Sequence, residues 1–418
     1  MATCTACESR HDTRCVKHSV DCSRHARDEK NYCEHWGETP PADLNLKKWQ
    51  RELENKKIRL GVCMPTMSMG GITRVLLTMM NAPVGHSIEW SGFAIDSHWT
   101  FDLETAKLIL KHCPIYASKD HPSYQGLITI VPNAFQTIVD RSDVVNPCGF
   151  TEATAEFKAV NWDAVPLLVV AHGQCDWTRT SLAVILGVGS KHILASVSKG
   201  GVKCFPESKQ DRVGVIYNGV DYTRCAPARS REVVRREWGI KPDTKAIGYI
   251  GRFAYGKKPL ATAEAVAELG AGYHAVYVGD GNQREKVVND VLGICSDQVT
   301  IVPRTEDIGT VLNAMDCLVS ASPSEGGPLS VIEAWLAGCP VVSTCVGIIP
   351  ELESKHGSLE SLIPFDPSPL ELAAAVRDAI ADRDRVERAR SLAWKMFSAS
   401  RMTLDYEALI RGSYVNQP

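Results

Sequence analysis

Residues 317–344, "CLVSASPSEGGPLSVIEAWLAGCPVVST", decide the fold. An apolar run, CLVSAS, ends in a polar loop, Gly326-Gly327-Pro328 opens a helical pattern, and Val341-Val342 closes the unit as a second short apolar run. Proline suits the first turn of a helix, and paired glycines permit an unusual backbone just ahead of it. Short apolar runs joined through a helix are the signature of a parallel sheet covered on its faces. Two carboxylates flank the helix start: Glu325 in the loop and Glu333 on the helix itself.

The same alternation extends in both directions. Upstream, "REVVRREWGI" (231–240) reads as helix, "KAIGYIGRF" (245–253) as strand and loop, "PLATAEAVAELG" (259–270) as helix and "HAVYVGDG" (274–281) as strand and loop. "VGVIYNGVDYTRCAP" (213–227) interrupts the pattern with the turn pair Asn218-Gly219 and marks a boundary. Before it lies a second α/β unit, from the buried strand "KIRLGVCMP" (57–65) and the glycine loop and helix "TMSMGGITRVLLTMMN" (66–81) to "PLLVVAHG" (166–173). Two doubly wound domains are therefore expected. Ligands in such sheets bind beyond the carboxyl ends of the strands, so facing sheets would create a cleft. The expected division is a Cys/His-rich segment at 1–40, a first Rossmann-like domain at 41–217, a second at 218–395, and a helix at 396–418 packed back on the first domain.

Composition agrees with a multidomain globular chain. At 418 residues it exceeds the roughly 150 expected of one domain. A net charge of −3 argues against a chain built mainly to coat nucleic acid. No apolar run reaches the ~18 residues of a transmembrane helix, and the start lacks the apolar core of a signal peptide, so a cytoplasmic protein, at most peripheral to a membrane, is expected.

Three loops carry the candidate chemistry. In "GYIGRFAYGKKP" (248–259), Arg252 and Lys257 follow Gly251 at a strand end. A guanidinium offers a planar fork of donors to phosphate oxygens, and an ammonium supplies a compact charge. In "MSMGGITR" (67–74), Gly70 and Gly71 precede a helix whose free N–H groups attract anions. The loop lacks the full dinucleotide fingerprint. In the opening stretch, the glutamates suit vicinal hydroxyls and the helix start suits phosphate. Together the loops fit a molecule with sugar at its ends and phosphate in its middle.

"GRFAYGKKP", "VGDGNQRE", the hinge "VIYNGVD" and the 317–344 stretch, with its E-x7-E spacing, resemble the GT-B retaining glycosyltransferases of the family-4 type. The resemblance is strong over 213–352, moderate over 58–80 and 167–175, and does not reach residues 1–40. It implies a donor that is a UDP-, GDP- or ADP-sugar, with Arg252 and Lys257 clamping its diphosphate and Glu333 accepting from its ribose. It further implies Glu325 near the donor sugar, and Gly251, Gly326, Gly327 and the amides of Leu329 and Ser330 around sugar and phosphate. Gly70 and Gly71 would approach from the first domain, His172 in "VVAHG" would stand beside the sugar, and Arg304 would lie where the base is held. Retention of configuration without a divalent metal is part of the same resemblance, and the acceptor stays open among glycans, lipids, proteins and small molecules. The chain departs from the family at Ile72-Thr73, where an acidic residue is frequent, and at Gly347-Ile348, where two glycines are frequent. An epimerase or phosphorylase of the same fold, or a non-catalytic nucleotide-sugar sensor, remain alternative readings.

The fifteen cysteines fall into two groups. Ten are scattered through apolar stretches and read as small buried hydrophobes. Cys4, Cys7, Cys15, Cys22 and Cys33 crowd the start together with four histidines. Thiolates and imidazoles at such intervals suit tetrahedral zinc, and a reducing compartment favours metal over disulfide. A structural zinc module that docks a partner or acceptor is expected there, with a disordered reactive tail or an iron–sulfur site as alternatives.

Overall fold

A computed structural model of the chain describes residues 50, 53, 56–83, 87–96, 101–148, 155–173 and 192–416. The chain divides into two compact units, 1–41 and 42–418. The five cysteines of the expected zinc module lie outside the described residues. Both sheets belong to the second unit.

Its first lobe is an eight-stranded sheet. The strands are β1 (Ile58–Met64), β2 (Ile88–Ile95), β3 (Ile115–Ala117), β4 (Thr129–Ile130), β5 (Val144–Pro147), β6 (Leu167–Ala171), β7 (His192–Ser196) and β8 (Gly214–Val215). They pair in parallel in the order β4-β3-β2-β1-β5-β6-β7-β8. The second lobe is a six-stranded parallel sheet of β9 (Lys245–Ile250), β10 (Tyr273–Val278), β11 (Val299–Val302), β12 (Cys317–Ser320), β13 (Val341–Thr344) and β14 (Ser361–Ile363). Its order is β11-β10-β9-β12-β13-β14.

Both sheets read as continuous apolar runs because both faces are covered. In β9, Ala246 enters one core and Ile247 and Tyr249 the other; in β10, Val276 and Val278 face the first core and Ala275 and Tyr277 the second. This period of two divides the helices. The first core takes Leu329–Ala337, which buries Val331, Ile332 and Trp335, and the second takes Leu260–Leu269 and Pro369–Ala381. The helix Pro369–Ala381 begins where the sequence says it should: Ser368 and Glu371 form a reciprocal capping box and proline occupies the first turn. Of the ten scattered cysteines, eight are buried, Cys345 is exposed, and Cys175 lies outside the described residues. Cys345 departs from the expectation because it follows β13 into the loop ahead of the helix Ile349–His356.

The chain passes between the lobes at two adjacent points. Val220 pairs in parallel with Ser398, its amide donating to Phe397 O at 2.8 Å and its carbonyl accepting from Ala399 N at 3.1 Å. A Cβ on Gly219 would stand 2.5 Å from Ser398 O, so only glycine lets these strands touch. The helix Ala399–Arg411 then lies on the first lobe, where Met402, Tyr406 and Ile410 pack with Leu60, Val75 and Ile193.

Both sheets reverse direction next to their first strand: between β1 and β5 in the first lobe, and between β9 and β12 in the second. Such a switch point leaves a crevice, because the loops leaving the two central strands diverge to opposite faces. The glycine loop leaves β1, the Arg252/Lys257 loop leaves β9 and the Glu325 loop leaves β12.

Candidate functional site

The loop after β9 is braced from several sides. Gly251 N donates to Val278 O at 3.1 Å, the Tyr249 hydroxyl to Arg252 O at 2.6 Å, and Tyr255 N to Gln283 Oε1 at 2.8 Å. Lys258, at φ 46°, turns the chain and anchors its ammonium on Asp366 at 2.9 Å. These bonds aim the two preceding cations at the crevice. The Lys257 ammonium reaches Glu325 Oε1 at 2.6 Å, so the two loops flanking the switch point converge on one spot. Arg252 is exposed and extends towards the other lobe: a Cβ on Gly70 would sit 2.8 Å from its Nη2.

The Glu325–Pro328 loop is wedged in place by backbone. A Cβ on Gly326 would come within 2.7 Å of both the His172 carbonyl carbon and Val197 Cγ2. Gly327 O accepts from Asn218 Nδ2 at 2.9 Å. Gly347, at φ +62°, packs so closely that its own Cβ would lie 2.8 Å from the Gly326 carbonyl carbon. Ile348, where the family pattern often has a second glycine, is fully buried in the core. The helix Leu329–Ala337 starts directly behind this loop with no side-chain cap, and the amides of Leu329 and Ser330 have no partner among the described residues. Two unoccupied donors at a helix start favour negative charge.

Opposite stands the helix Gly71–Met80, whose N-cap Gly70 is extended and offers no side-chain cap either. His172 follows β6, and burial pushes its pKa down to about 4, so its imidazole is neutral at physiological pH.

Glu333 is 6% exposed, and its Oε1 accepts from Arg224 Nη1 at 2.7 Å. Burial raises its pKa and the Arg224 charge opposes that rise. Arg304 is paired with Asp102 of the first lobe, the residue that caps the helix Leu103–Leu110. Burial works to raise the Asp102 pKa, but hydrogen bonds from Thr105 and Arg304 outweigh it and hold the carboxyl below its ordinary value. Arg74 pairs with Glu306 at 2.6 Å, and Glu351 accepts from Lys199 N at 3.1 Å and from the Tyr217 hydroxyl at 3.2 Å.

Thus the structure brings Arg252, Lys257, Glu325, Gly326, Gly327, Leu329 and Ser330 to one edge, with Gly70 and the His172 backbone against it. Glu333 and Arg304 are held in ion pairs. Sequence reasoning does not single out Arg224, Glu306, Arg74 or Asp102. Their partners are tens to hundreds of residues away, and no local pattern announces them.

Residues 244–382 match the family model described as Glycosyl transferases group 1. Among curated proteins, the chain is 29% identical over 254 residues to the D-inositol 3-phosphate glycosyltransferase of Nocardia farcinica, covering 54% of this chain and 55% of that protein. It is 25% identical to the N-acetyl-alpha-D-glucosaminyl L-malate synthase of Bacillus anthracis over 47% of this chain and 53% of that one. The chain therefore spans about half the length of the curated relatives it matches. Among solved structures, Anabaena HepE in complex with UDP-glucose superposes with TM-score 0.67 at 20% identity, covering 85% of this chain and all of that one. WaaG, a glycosyltransferase involved in lipopolysaccharide biosynthesis, gives TM-score 0.56 at 16% identity over 84% of this chain and all of WaaG. Both superpositions speak to the fold of two facing parallel-sheet domains.

Proposed function

We propose that this chain, a group 1 glycosyltransferase by its residues 244–382, moves a sugar from a nucleotide diphosphate to an acceptor hydroxyl with retention of anomeric configuration. The observation that carries this reading is the convergence at the β9/β12 switch point: Lys257 reaches Glu325 at 2.6 Å in front of an uncapped helix start. HepE has been solved in complex with UDP and with UDP-glucose, which favours a uridine donor here.

In this scheme the bond between the sugar's anomeric carbon and the β-phosphate oxygen breaks, and the nucleoside diphosphate leaves with the electron pair. Arg252, Lys257 and the amides of Leu329 and Ser330 stabilise the charge that grows on it, as preorganised donors do at an oxyanion. Two cations and a helix start thereby do the work that a divalent ion performs elsewhere. The acceptor oxygen attacks from the face the phosphate leaves, and its proton passes to the departing phosphate oxygen. Glu325 faces the developing positive charge on the sugar, released from Lys257 once the phosphate takes that lysine. His172, neutral at physiological pH, can hydrogen-bond sugar hydroxyls without adding positive charge beside an electron-poor carbon.

The acceptor class is drawn from the relatives' names, inositol 3-phosphate and L-malate, both small hydroxylated anions. The Cys/His-rich start is assigned a structural zinc, which metal analysis of the purified chain tests. Among the described residues no helix is long and apolar enough to cross a membrane. Incubating the protein with UDP-, GDP- and ADP-glucose, with and without inositol 3-phosphate or malate, tests the main reading. Release of one nucleoside diphosphate, with an α-linked product from an α-linked donor, is expected. An inverted product rejects retention, and unchanged donors with no nucleotide bound reject the reading.

A further inference from the structure

The donor scheme leaves Arg224 without a task, although it is the partner of the buried carboxylate on which ribose recognition rests. Arg224 lies on the single turn Tyr222–Cys225, immediately after the interlobe crossing at Val220, and this turn is capped by Asp221. Its Nη1 donates to Glu333 Oε1 at 2.7 Å. Its Nε donates to the Glu306 carbonyl at 3.3 Å and lies 3.8 Å from Glu306 Oε2. The guanidinium is thus held at both ends, and Glu306 is itself anchored on Arg74.

A ribose diol asks two things of Glu333: that it be ionised, since a protonated carboxyl offers fewer acceptor sites, and that its free oxygen point outward. Burial at 6% exposure works against the first, and the helix alone does not fix the second. A guanidinium bonded to one oxygen supplies both, because it stabilises the charged form and leaves the other oxygen to accept. We infer that Arg224 is a positioning residue for donor recognition, presenting Glu333 to the ribose hydroxyls, while Glu306 holds the guanidinium in register.

This inference rests on the donor reading above and refines it. A merely structural ion pair would make a different prediction. Its loss would lower stability and weaken all nucleotides alike, whereas loss of a positioning residue removes the ability to sense the ribose hydroxyls.

The test is a cycle between protein and ligand. Dissociation constants of UDP and 2′,3′-dideoxy-UDP are measured by calorimetry for wild type, Arg224→Ala, Arg224→Lys and Glu333→Gln, with the GDP and ADP pairs as replacements should UDP not bind. Hydrogen bonds to a charged acceptor lead us to expect wild type to bind the dideoxy compound about 10- to 100-fold more weakly. In Arg224→Ala and Glu333→Gln that ratio falls to about threefold or less, and Arg224→Lys recovers part of it. Arg224→Lys keeps the charge and carries the test should Arg224→Ala not fold: a ratio as large as wild type's in every folded Arg224 variant overturns the inference. A wild type that binds UDP but does not discriminate overturns the ribose role of Glu333 and this inference, leaving the diphosphate site standing. A wild type that binds none of the three diphosphates overturns the donor reading itself.

Discussion

Gly326→Ala is a sharp steric test of how the lobes meet. Gly326 is buried and its φ lies outside the left-handed region, so alanine meets no backbone strain there and only space decides the outcome. The new methyl would stand 2.7 Å from Val197 Cγ2 and from the His172 carbonyl carbon, against 3.4 Å for ordinary contact. Neither neighbour is the free end of a long side chain, so the Glu325–Pro328 loop must retreat by the better part of an ångström. Overpacking of this kind costs about 1–3 kcal/mol, which for a lobe of this size lowers Tm by several degrees. The retreat also displaces Glu325 and the helix start from Lys257, and a misplacement of about 1 Å can cost 10²-fold in rate. Donor turnover, followed as nucleoside diphosphate release, should therefore fall by about 10²-fold. Gly293→Ala is the control: it sits in the helix Arg284–Cys295 with nothing within 4 Å of the added methyl. It should leave turnover unchanged and stabilise by roughly 0.5–1 kcal/mol. A Gly326→Ala protein with wild-type Tm and turnover would refute the argument, because the loop could not then abut His172 and Val197.

Two further outcomes come from the same geometry. Lys257→Ala should lose about 10²–10³ in transfer rate while thermal unfolding stays within a few degrees of wild type, because a part-exposed ion pair is worth only about 0–1 kcal/mol; wild-type turnover would remove the leaving-group role. Glu360 gives a pH-dependent one. Its side chain is buried, and that burial, with Glu353 adding and Arg385 and a hydrogen bond from Ser343 opposing, pushes the pKa up to about 8. The folded protein thus keeps a proton that the unfolded chain releases near 4.5, so this contribution to stability is full below that pH and is lost as pH rises through about 8. Urea midpoints should fall between pH 5 and pH 8, and Glu360→Gln should flatten the fall; identical slopes in the two proteins would count against a protonated Glu360.

What can be read along the chain is whatever repeats at short range. The runs KIRLGVCMP, HAVYVGDG and PVVST coincide with β1, β10 and β13, since strands buried on both faces declare themselves as apolar runs between turn residues. The cations after β9 and the glutamates around the Gly-Gly-Pro turn are visible because strand ends fix where a loop must emerge. Within the mostly apolar run GLITIV (126–131), the edge strand β4 covers only Thr129 and Ile130, both exposed. An edge position explains this: β4 has one neighbour and no second strand to extend it. Nothing local could join Arg224 to Glu333, Arg304 to Asp102 or Arg74 to Glu306: the first pair closes within the second lobe between residues 109 apart in sequence, and the other two form only where the two lobes meet. Lys257 and Arg304 each hold an opposite charge that a donor would have to replace, whereas Glu333 keeps its Arg224 partner when a donor binds.

The most direct measurement is a crystal structure of the protein with the nucleoside diphosphate it binds. The β-phosphate should lie within hydrogen-bonding distance of Arg252, Lys257 and the Leu329 and Ser330 amides, with the Lys257–Glu325 pair opened from its 2.6 Å separation. A diphosphate seated elsewhere, with that pair still closed, would contradict the account.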